Sequence, residues 1–193
     1  MSTDPVAKPH IFHFWGAINY ASLGNMTNFV SNAIYNRATQ ISFHIASNGG
    51  DINAGIAAYN FLRSISIPFS MHNFSNIDSI AVILFLSAKE RYCVPHAKFM
   101  IHPPTMNGPS SSLYNPLLKE MAMNLQCDID RYVNIFKENT QDAKEKLDIK
   151  KHMQCEPIVL DAEQAKRYGI VTDILDSPGT FPHCAFSSHV SAV

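Results

Sequence analysis

The chain has 193 residues, of which 46% are hydrophobic and 16% are charged. At about 150 residues per domain this length suits a single domain, and the apolar content is too high for a disordered chain. The 15 basic and 16 acidic residues give a formal net charge of -1. That balance predicts neither a nucleic-acid partner nor a polybasic contact with a membrane, and it favours self-association.

Neither a membrane span nor a secretion signal is expected from the apolar runs. The longest run, residues 80–86, is too short to cross a bilayer, and residues 1–9 lack an apolar core. The four cysteines are widely spaced and contain no C-x-x-C pair. We therefore expect a cytoplasmic protein with reduced thiols and without a zinc cluster or other cofactor.

Three regions are predicted from the distribution of proline and polar residues. Residues 1–10 read as a flexible N-terminus, 11–176 as a single α/β domain, and 177–193 as a C-terminal tail rich in Ser, His and Gly.

Within the domain, the hydrophobic periodicity alternates between strand and helix. In chain order it predicts a strand at 11–15, a helix at 22–35, a strand at 41–46, a helix at 53–63, a strand at 68–74, a short buried helix at 79–88, strands at 92–94 and 98–102, a long helix at 116–139, a helix at 161–168 and a strand at 170–175. The charge run at 142–151 mixes both signs and reads as a solvated helix or loop. Repeated strand–helix units favour a mainly parallel sheet.

A glycine pair follows the second strand. Gly49 and Gly50 lie just before the next predicted helix, and paired glycines allow a sharp turn that presents N–H groups beside a helix start. Such groups suit an anion or the oxyanion of a tetrahedral intermediate, although the same pair also makes an ordinary structural turn. No Gly-Lys-Ser/Thr follows, so a phosphate loop is not predicted.

Ser79 stands at the head of the short buried helix, after a strand and the polar turn 75–78. A serine on a strand-to-helix elbow is placed where a nucleophile would lie. The alternative interpretation is that Ser79, or Asp78 before it, only caps the helix.

His102 ends an apolar strand and is followed by Pro103 and Pro104. Sites in α/β folds are built at the carboxyl ends of strands, so His102 is a candidate general base. The alternative is a packed histidine with a satisfied hydrogen bond. His44 and His72 lie inside strands and read as core or cross-strand residues.

Several segments in this order resemble the proteolytic subunits of Clp proteases. The segments are Ser47-Asn48-Gly49-Gly50, the Ser79 elbow, Arg91-Tyr92-Cys93-Val94-Pro95, Met100-Ile101-His102-x-Pro104 and the stretch from Asp161 to Val171. The resemblance spans roughly residues 12–175. It implies a crotonase/ClpP-like α/β fold of repeated strand–strand–helix units, with a protruding handle helix at about 116–139.

The resemblance also implies roles for individual residues. Ser79 would be the nucleophile and His102 the general base of a Ser–His–acid triad. The N–H groups of Gly50 and Ile80 would form the oxyanion hole. The segment 104–114 would border the groove that holds the substrate peptide.

The acid of the triad is the least direct of these assignments. The family's aspartate aligns near Pro157, so the nearest carboxylate, Glu156, is predicted as the acid, with Asp148 and Asp161 as alternatives. Asp161 also fits an N-cap. If none reaches His102, a Ser–His dyad or an inactive site remains.

Two departures from the family pattern lie close to the site. The turn 75–78 lacks the family's usual Gly-x-Ala-Ala pattern and places Asp78 beside the nucleophile, and Asn48 stands where the family has proline.

The function predicted in this way is that of a cytoplasmic serine endopeptidase subunit of a Clp-like protease. It would act on peptides or unfolded proteins, assemble as a homo-oligomer that could stack as rings, and have a Clp-type ATPase as a possible partner. One alternative is a weak or inactive homologue that acts as a scaffold or modulator. A crotonase-type acyl-CoA enzyme is a further alternative, which the serine and histidine pair disfavours.

Overall fold

The computed structural model describes residues 9–105 and 115–176, which form seven strands and six helices. The strands are β1 (Pro9–Trp15), β2 (Gln40–Ser47), β3 (Phe69–Asp78), β4 (Glu90–Cys93), β5 (Lys98–Ile101), β6 (Ile158–Asp161) and β7 (Asp173–Ile174). The helices are α1 (Tyr20–Tyr35), α2 (Ile52–Ser64), α3 (Ala81–Phe85), α4 (Asn115–Asn139), α5 (Ile149–Gln154) and α6 (Ala162–Arg167). None of the described helices is long and apolar enough to cross a membrane.

The sheet branches at β3. Strands β1, β2, β3, β4 and β7 pair in that order, all parallel. The first half of β3 pairs with β4, whereas its last residues, Asn76 to Asp78, pair with β5. Strand β6 then lies antiparallel on β5. The branch therefore separates a five-stranded parallel sheet from a smaller unit that carries β5 and β6.

A buried asparagine holds the branch point together. Asn73 is fully buried, donates from its side chain to the carbonyl oxygen of Lys98 at 3.0 Å, and accepts from the N–H of Ser75 at 2.9 Å. These bonds satisfy polar groups where β3 leaves one partner strand and reaches the other. β3 is therefore continuous through the segment 75–78, which the sequence predicted to be a turn.

The core lies between the sheet and its helices. Phe12 and Phe43 from neighbouring strands pack with Phe29 of α1, with ring centroids 4.8–6.4 Å apart. Helix α3 is buried on all sides, as its wholly apolar sequence predicted. A helix that is buried all round also fixes the chain that leads into it, and Ser79 lies two residues before its first residue.

Most of the predicted elements are present, with shifts of a few residues at their ends. The two elements absent from the prediction are α5 and β6, which lie in or just after the charge run 142–151. Strand β1 begins at Pro9, inside the predicted N-terminal region 1–10, and residues 1–8 lie outside the described residues. The tail 177–193 and most of the groove segment 104–114 lie outside the described residues.

Arg91 ties three parts of the chain to the end of β4. The residue is 9% exposed, and its guanidinium donates to the carbonyl oxygens of Ala88, Asn139, Gly169 and Ile170 at 2.6–3.3 Å. These carbonyls belong to the loop before β4, the end of α4 and the segment after α6. A planar guanidinium with five donors can serve all of them at once, which an ammonium cannot do.

Replacement of this side chain by an apolar one of similar length should be costly. We expect Arg91→Met to lower the free energy of unfolding by about 3 kcal/mol or more, because several buried carbonyls lose a charged donor. Urea unfolding measures this loss. The control Arg63→Met, at an exposed position of α2, should stay within about 0.5 kcal/mol of the unchanged protein. Equal effects of the two substitutions would contradict the structural role of Arg91.

A row of aromatic and histidine rings crosses the sheet on the face opposite α1. His13, His44, His72 and Tyr92 occupy matching positions on four neighbouring strands. Burial lowers the pKa of His44 to about 3, with further contributions from the charges of His13 and His72. Burial likewise lowers the pKa of His72 to about 4. Both rings are therefore neutral in the folded protein near neutral pH.

The stability of the fold should consequently fall in acid. The unfolded chain takes up protons at the ordinary histidine pKa of 6.5, whereas the folded chain does so only near 4 and 3. The contribution of these two rings to the free energy of unfolding is therefore fully present above pH 6.5. It is lost progressively as the pH falls towards the folded-state pKa values. Between about pH 7.5 and pH 5.5 each ring should lower the free energy of unfolding by about 1 kcal/mol.

Urea unfolding at several pH values measures this dependence. His44→Phe and His72→Phe should each reduce the slope of stability against pH, whereas His96→Phe, at an exposed position, should leave it unchanged. If stability depended on pH with the same slope in the unchanged protein and in all three variants, His44 and His72 would not be the source of the acid sensitivity.

Candidate active site

The glycine turn after β2 is held against the chain that follows β1. Ile18 donates its N–H to the carbonyl oxygen of Gly49 at 2.8 Å and accepts the N–H of Asp51 at 2.8 Å. Gly50 lies between these two bonds with φ of +149°, and a Cβ at this position would come 2.2 Å from the carbonyl oxygen of Ile18. Only glycine fits there. Among the described residues, the N–H of Gly50 has no backbone acceptor.

Gly49 brings the same turn directly against Ser79. Its φ is +91°, and a Cβ built on it would lie 2.6 Å from Ser79 Cβ and 2.9 Å from the carbonyl oxygen of Asp78. Asn76 strengthens the contact, since its side-chain amide reaches the carbonyl oxygen of Ser47 at 3.2 Å and Asn48 Oδ1 at 2.8 Å. The end of β3 and the glycine turn thus form one hydrogen-bonded unit.

Ser79 adopts a backbone conformation that L-residues rarely take. Its φ is +58°, which costs about 1–2 kcal/mol for a side chain with a Cβ. The N–H of Ser79 donates to the carbonyl oxygen of Met100 at 2.8 Å, and its own carbonyl accepts the N–H of Val82 at 3.0 Å. Strain of this kind concentrates at functional sites.

The capping interpretation of Ser79 and Asp78 is wrong. Helix α3 begins after Ile80, and no side chain caps it. Asp78 instead accepts a hydrogen bond from Asn76 at 2.7 Å and lies 3.7 Å from the ammonium group of Lys98. The carboxylate is buried, and its Oδ1 has no partner among the described residues.

Tyr132 of α4 is hydrogen-bonded to the backbone of Ser79. Its hydroxyl donates to the carbonyl oxygen of Ser79 at 3.2 Å, and burial raises the pKa of the phenol, which keeps it a neutral donor. The sequence pattern predicted Tyr132 only as part of an apolar stripe. The hydroxyl of a buried tyrosine needs a hydrogen-bond partner, so a tyrosine within an apolar stripe was the signal that could have predicted this polar contact.

His102 reaches the same edge of the sheet as Ser79. Strand β5 lies parallel to the end of β3, and Asp78 pairs with Met100. Ser79 and His102 therefore follow the carboxyl ends of neighbouring parallel strands, where α/β folds place their sites. The hydrogen bonds of the described residues do not include one between the Ser79 hydroxyl and the His102 ring; such bonds often tighten only when substrate is present.

The tautomer of His102 follows from its hydrogen bond. Nδ1 lies 2.8 Å from the carbonyl oxygen of Pro103. A carbonyl only accepts, so Nδ1 carries the hydrogen, and Nε2 of the neutral ring is left as the nitrogen that can accept a proton. This is the tautomer that a general base requires.

The three carboxylates considered for the triad all have other partners. Glu156 is exposed and pairs with Lys151 at 2.9 Å, which holds the pKa of this carboxyl below its usual value. Asp148 caps α5 through the N–H of Lys151, and Asp161 caps α6 through the N–H of Gln164. The structure thus brings Ser79 and His102 to one edge, and within residues 9–105 and 115–176 no carboxylate is bonded to the His102 ring.

The remaining predicted groups are the two N–H groups of the oxyanion hole. The N–H of Ile80, like that of Gly50, donates to no other backbone group of the described residues. No cluster of three or more His, Cys, Asp or Glu side chains that could hold a metal ion occurs in the described part of the chain. The chemistry available here is that of a hydroxyl, an imidazole and backbone N–H donors.

Comparison with known sequences identifies the family. The sequence model of the Clp protease family matches residues 25–178. The chain belongs to the Clp protease family. Curated relatives include the ATP-dependent Clp protease proteolytic subunit 1 of Rhodopirellula baltica, which is 28% identical over 178 residues, or 89% of this chain and 74% of the relative. The corresponding subunit of Dehalococcoides mccartyi is 30% identical over 140 residues, or 72% and 67% of the two chains.

Solved structures confirm the predicted crotonase/ClpP-like fold. A mutant of ClpP1 from Listeria monocytogenes superimposes with a TM-score of 0.74 at 20% identity, covering 86% of this chain and 91% of that one. A mutant of the 1510-N membrane-bound stomatin-specific protease gives 0.69 at 12% identity, covering 89% and 81%. At these identities the likeness establishes the fold alone.

The contact between Gly49 and Ser79 can be tested in this Clp-family chain by adding one methyl group. Gly49→Ala should lower the free energy of unfolding by about 2 kcal/mol, because the new Cβ meets Ser79 and the φ is unfavourable. Thermal or urea unfolding measures the loss.

Gly24→Ala is the matched control, since a Cβ at this position of α1 meets nothing within 4 Å. It should stabilise the protein by about 0.5–1 kcal/mol. If both alanine variants were equally stable, the close approach of Gly49 to Ser79 would be wrong.

Proposed function

We propose that the chain is a serine endopeptidase subunit of a Clp-like protease, with Ser79 as nucleophile and His102 as general base. The observation that carries the proposal is the strained Ser79 at the end of β3, next to a histidine at the end of β5 whose Nε2 is free to accept a proton. Membership of the Clp protease family supports the same reaction class.

The proposed reaction is an acyl transfer in two halves. Ser79 Oγ attacks the carbonyl carbon of the scissile peptide while His102 Nε2 takes the hydroxyl proton. The N–H groups of Gly50 and Ile80 stabilise the oxyanion. Collapse of the intermediate breaks the C–N bond, and His102 returns the proton to the leaving amine. Water, activated by His102, then hydrolyses the acyl-enzyme and regenerates Ser79.

We also propose, by analogy with the family, that the subunit works as a homo-oligomer of stacked rings and that a Clp-type ATPase is its partner. Large apolar side chains on the surface support self-association: Trp15, Tyr20, Ile34, Tyr35, Leu118, Met123 and Val159. Unfolded protein or peptide is the proposed substrate, and the cytoplasm is the proposed location.

A second candidate function is a weak or inactive subunit that acts as a scaffold or modulator of an active protease. One observation favours it. Glu156, Asp148 and Asp161 are all engaged away from His102. Loss of the orienting acid of a triad can cost about four orders of magnitude in rate.

Fluorophosphonate labelling of the purified protein separates the two functions. An activated serine displaces fluoride and forms an Oγ–P bond, which mass spectrometry locates. We expect labelling at Ser79, none in Ser79→Ala, and a rate reduced by at least about 100-fold in His102→Ala. Hydrolysis of a fluorogenic peptide should follow the same order.

Two exposed residues of the same types serve as controls. Ser75→Ala and His96→Ala should label at the rate of the unchanged protein. Labelling that survives in Ser79→Ala contradicts the assignment of the nucleophile. A folded protein that does not label at all points to the inactive subunit.

A further inference from the structure

We propose that the backbone carbonyl of Pro103 takes the place of the triad carboxylate, so that Ser79 and His102 work as a dyad oriented by a neutral acceptor. This inference rests on the proposed function and specifies how its general base is held. The predicted triad acid, Glu156, remains the competing assignment.

The hydrogen bond at His102 is the first step of the argument. The ring Nδ1 lies 2.8 Å from the carbonyl oxygen of Pro103, which is a normal length for an N–H donor. An imidazole nitrogen has one hydrogen to donate, so this bond occupies the position that a carboxylate would otherwise take. Pro103 follows His102 directly in the chain, which keeps the carbonyl within reach of the ring.

The alternative acceptors are occupied in ways that the sequence explains. Asp148 and Asp161 each stand one residue before a helix and satisfy an N–H in its first turn. Glu156 has a side chain that is 63% exposed and an ion pair with Lys151, and its carbonyl oxygen lies 2.7 Å from His152 Nδ1. The contacts of Glu156 are therefore with residues of α5, and not with β5 or the histidine that follows it.

The strand register indicates which residue lies near His102. Strand β6 runs antiparallel to β5, and the ladder ends where Ile158 pairs with Ile101. His102 is the next residue after β5, and Pro157 is the residue just before β6. We infer that the register continues by one residue, which places opposite the histidine a proline that has neither a side-chain acceptor nor a backbone N–H.

A neutral acceptor has a chemical consequence. When Nε2 takes the Ser79 proton, the ring becomes an imidazolium with hydrogens on both nitrogens, and the Nδ1–H stays with the carbonyl of Pro103. A carbonyl dipole stabilises that cation less than a carboxylate does, because a carboxylate adds the attraction of a full opposite charge. The orientation is kept, and part of the electrostatic stabilisation is lost.

Labelling rates of conservative variants test the proposal. Glu156→Gln, Asp148→Asn and Asp161→Asn should label with fluorophosphonate within about twofold of the unchanged protein, because amides keep the size of each side chain and asparagine still caps a helix. A fall of about 100-fold or more in any of the three overturns the proposal, because that residue would then be the acid.

An added acid at the facing position tests the consequence. Pro157→Asp should raise the labelling rate about tenfold or more, whereas the isosteric control Pro157→Asn should not. An unchanged rate in Pro157→Asp overturns the claim that the neutral acceptor limits the reaction.

Nitrogen-15 spectroscopy of the histidine rings gives a readout that does not require activity. At about pH 8, above the ordinary histidine pKa, the two ring nitrogens of His102 should show the Nδ1–H tautomer. The signal is assigned by its loss in His102→Asn, and it should be unchanged in Glu156→Gln. An Nε2–H tautomer, or a change of tautomer in Glu156→Gln, overturns the inference.

These measurements distinguish a failure of this inference from a failure of the proposed function. If the protein does not label but His102 shows the Nδ1–H tautomer in both proteins, the protease assignment fails and the carbonyl contact stands. If it labels and Glu156→Gln abolishes labelling, the protease assignment stands and the carbonyl contact fails as the orienting group.

Discussion

The close approach of two backbones at Gly49 and Ser79 is the constraint on which the candidate site depends. The glycine turn can reach the elbow only because Gly49 has no side chain, and it is anchored from behind by the two hydrogen bonds that Ile18 makes around Gly50. Ser79 is in turn fixed by Met100 and Tyr132, which offset the cost of its positive φ. Displacement of any one of these contacts would move the hydroxyl relative to the N–H groups beside it.

The branching of the sheet explains how residues far apart in sequence meet at this elbow. Strand β3 changes partner at Asn73, and its second half brings β5 alongside the end that carries Ser79. Strand β6 then delivers the chain around Pro157 to the same edge. His102 therefore follows a strand that pairs with β3 on one side and with β6 on the other.

Four side chains that hold the branch, the end of α4 and the elbow bond in the same way. Asn73, Arg91, Tyr132 and His102 each donate to main-chain carbonyl oxygens. Carbonyls are fixed by secondary structure, so they orient a side chain without adding a second charge to the interior, where an unpaired charge is costly. Asp78 differs from these four, as a buried carboxylate whose Oδ1 has no partner in the described ranges.

The sequence by itself determined the alternation of strands and helices, the parallel sheet, and the placement of His102 at a strand end, because hydrophobic period and glycine or proline positions are local properties. It predicted Ser79 after a turn at 75–78 and at the head of a helix, whereas β3 continues to Asp78 and α3 begins at Ala81. It did not reveal α5, which begins inside a run of mixed charges without a clear period, or β6, whose four residues are too few to show one. Only the tertiary structure decided that Ser79 is strained and does not cap α3, that Tyr132 supports it, and that Glu156 turns to Lys151. Those outcomes depend on strand register and on competition between hydrogen-bond partners, and both are set by contacts between residues distant in sequence.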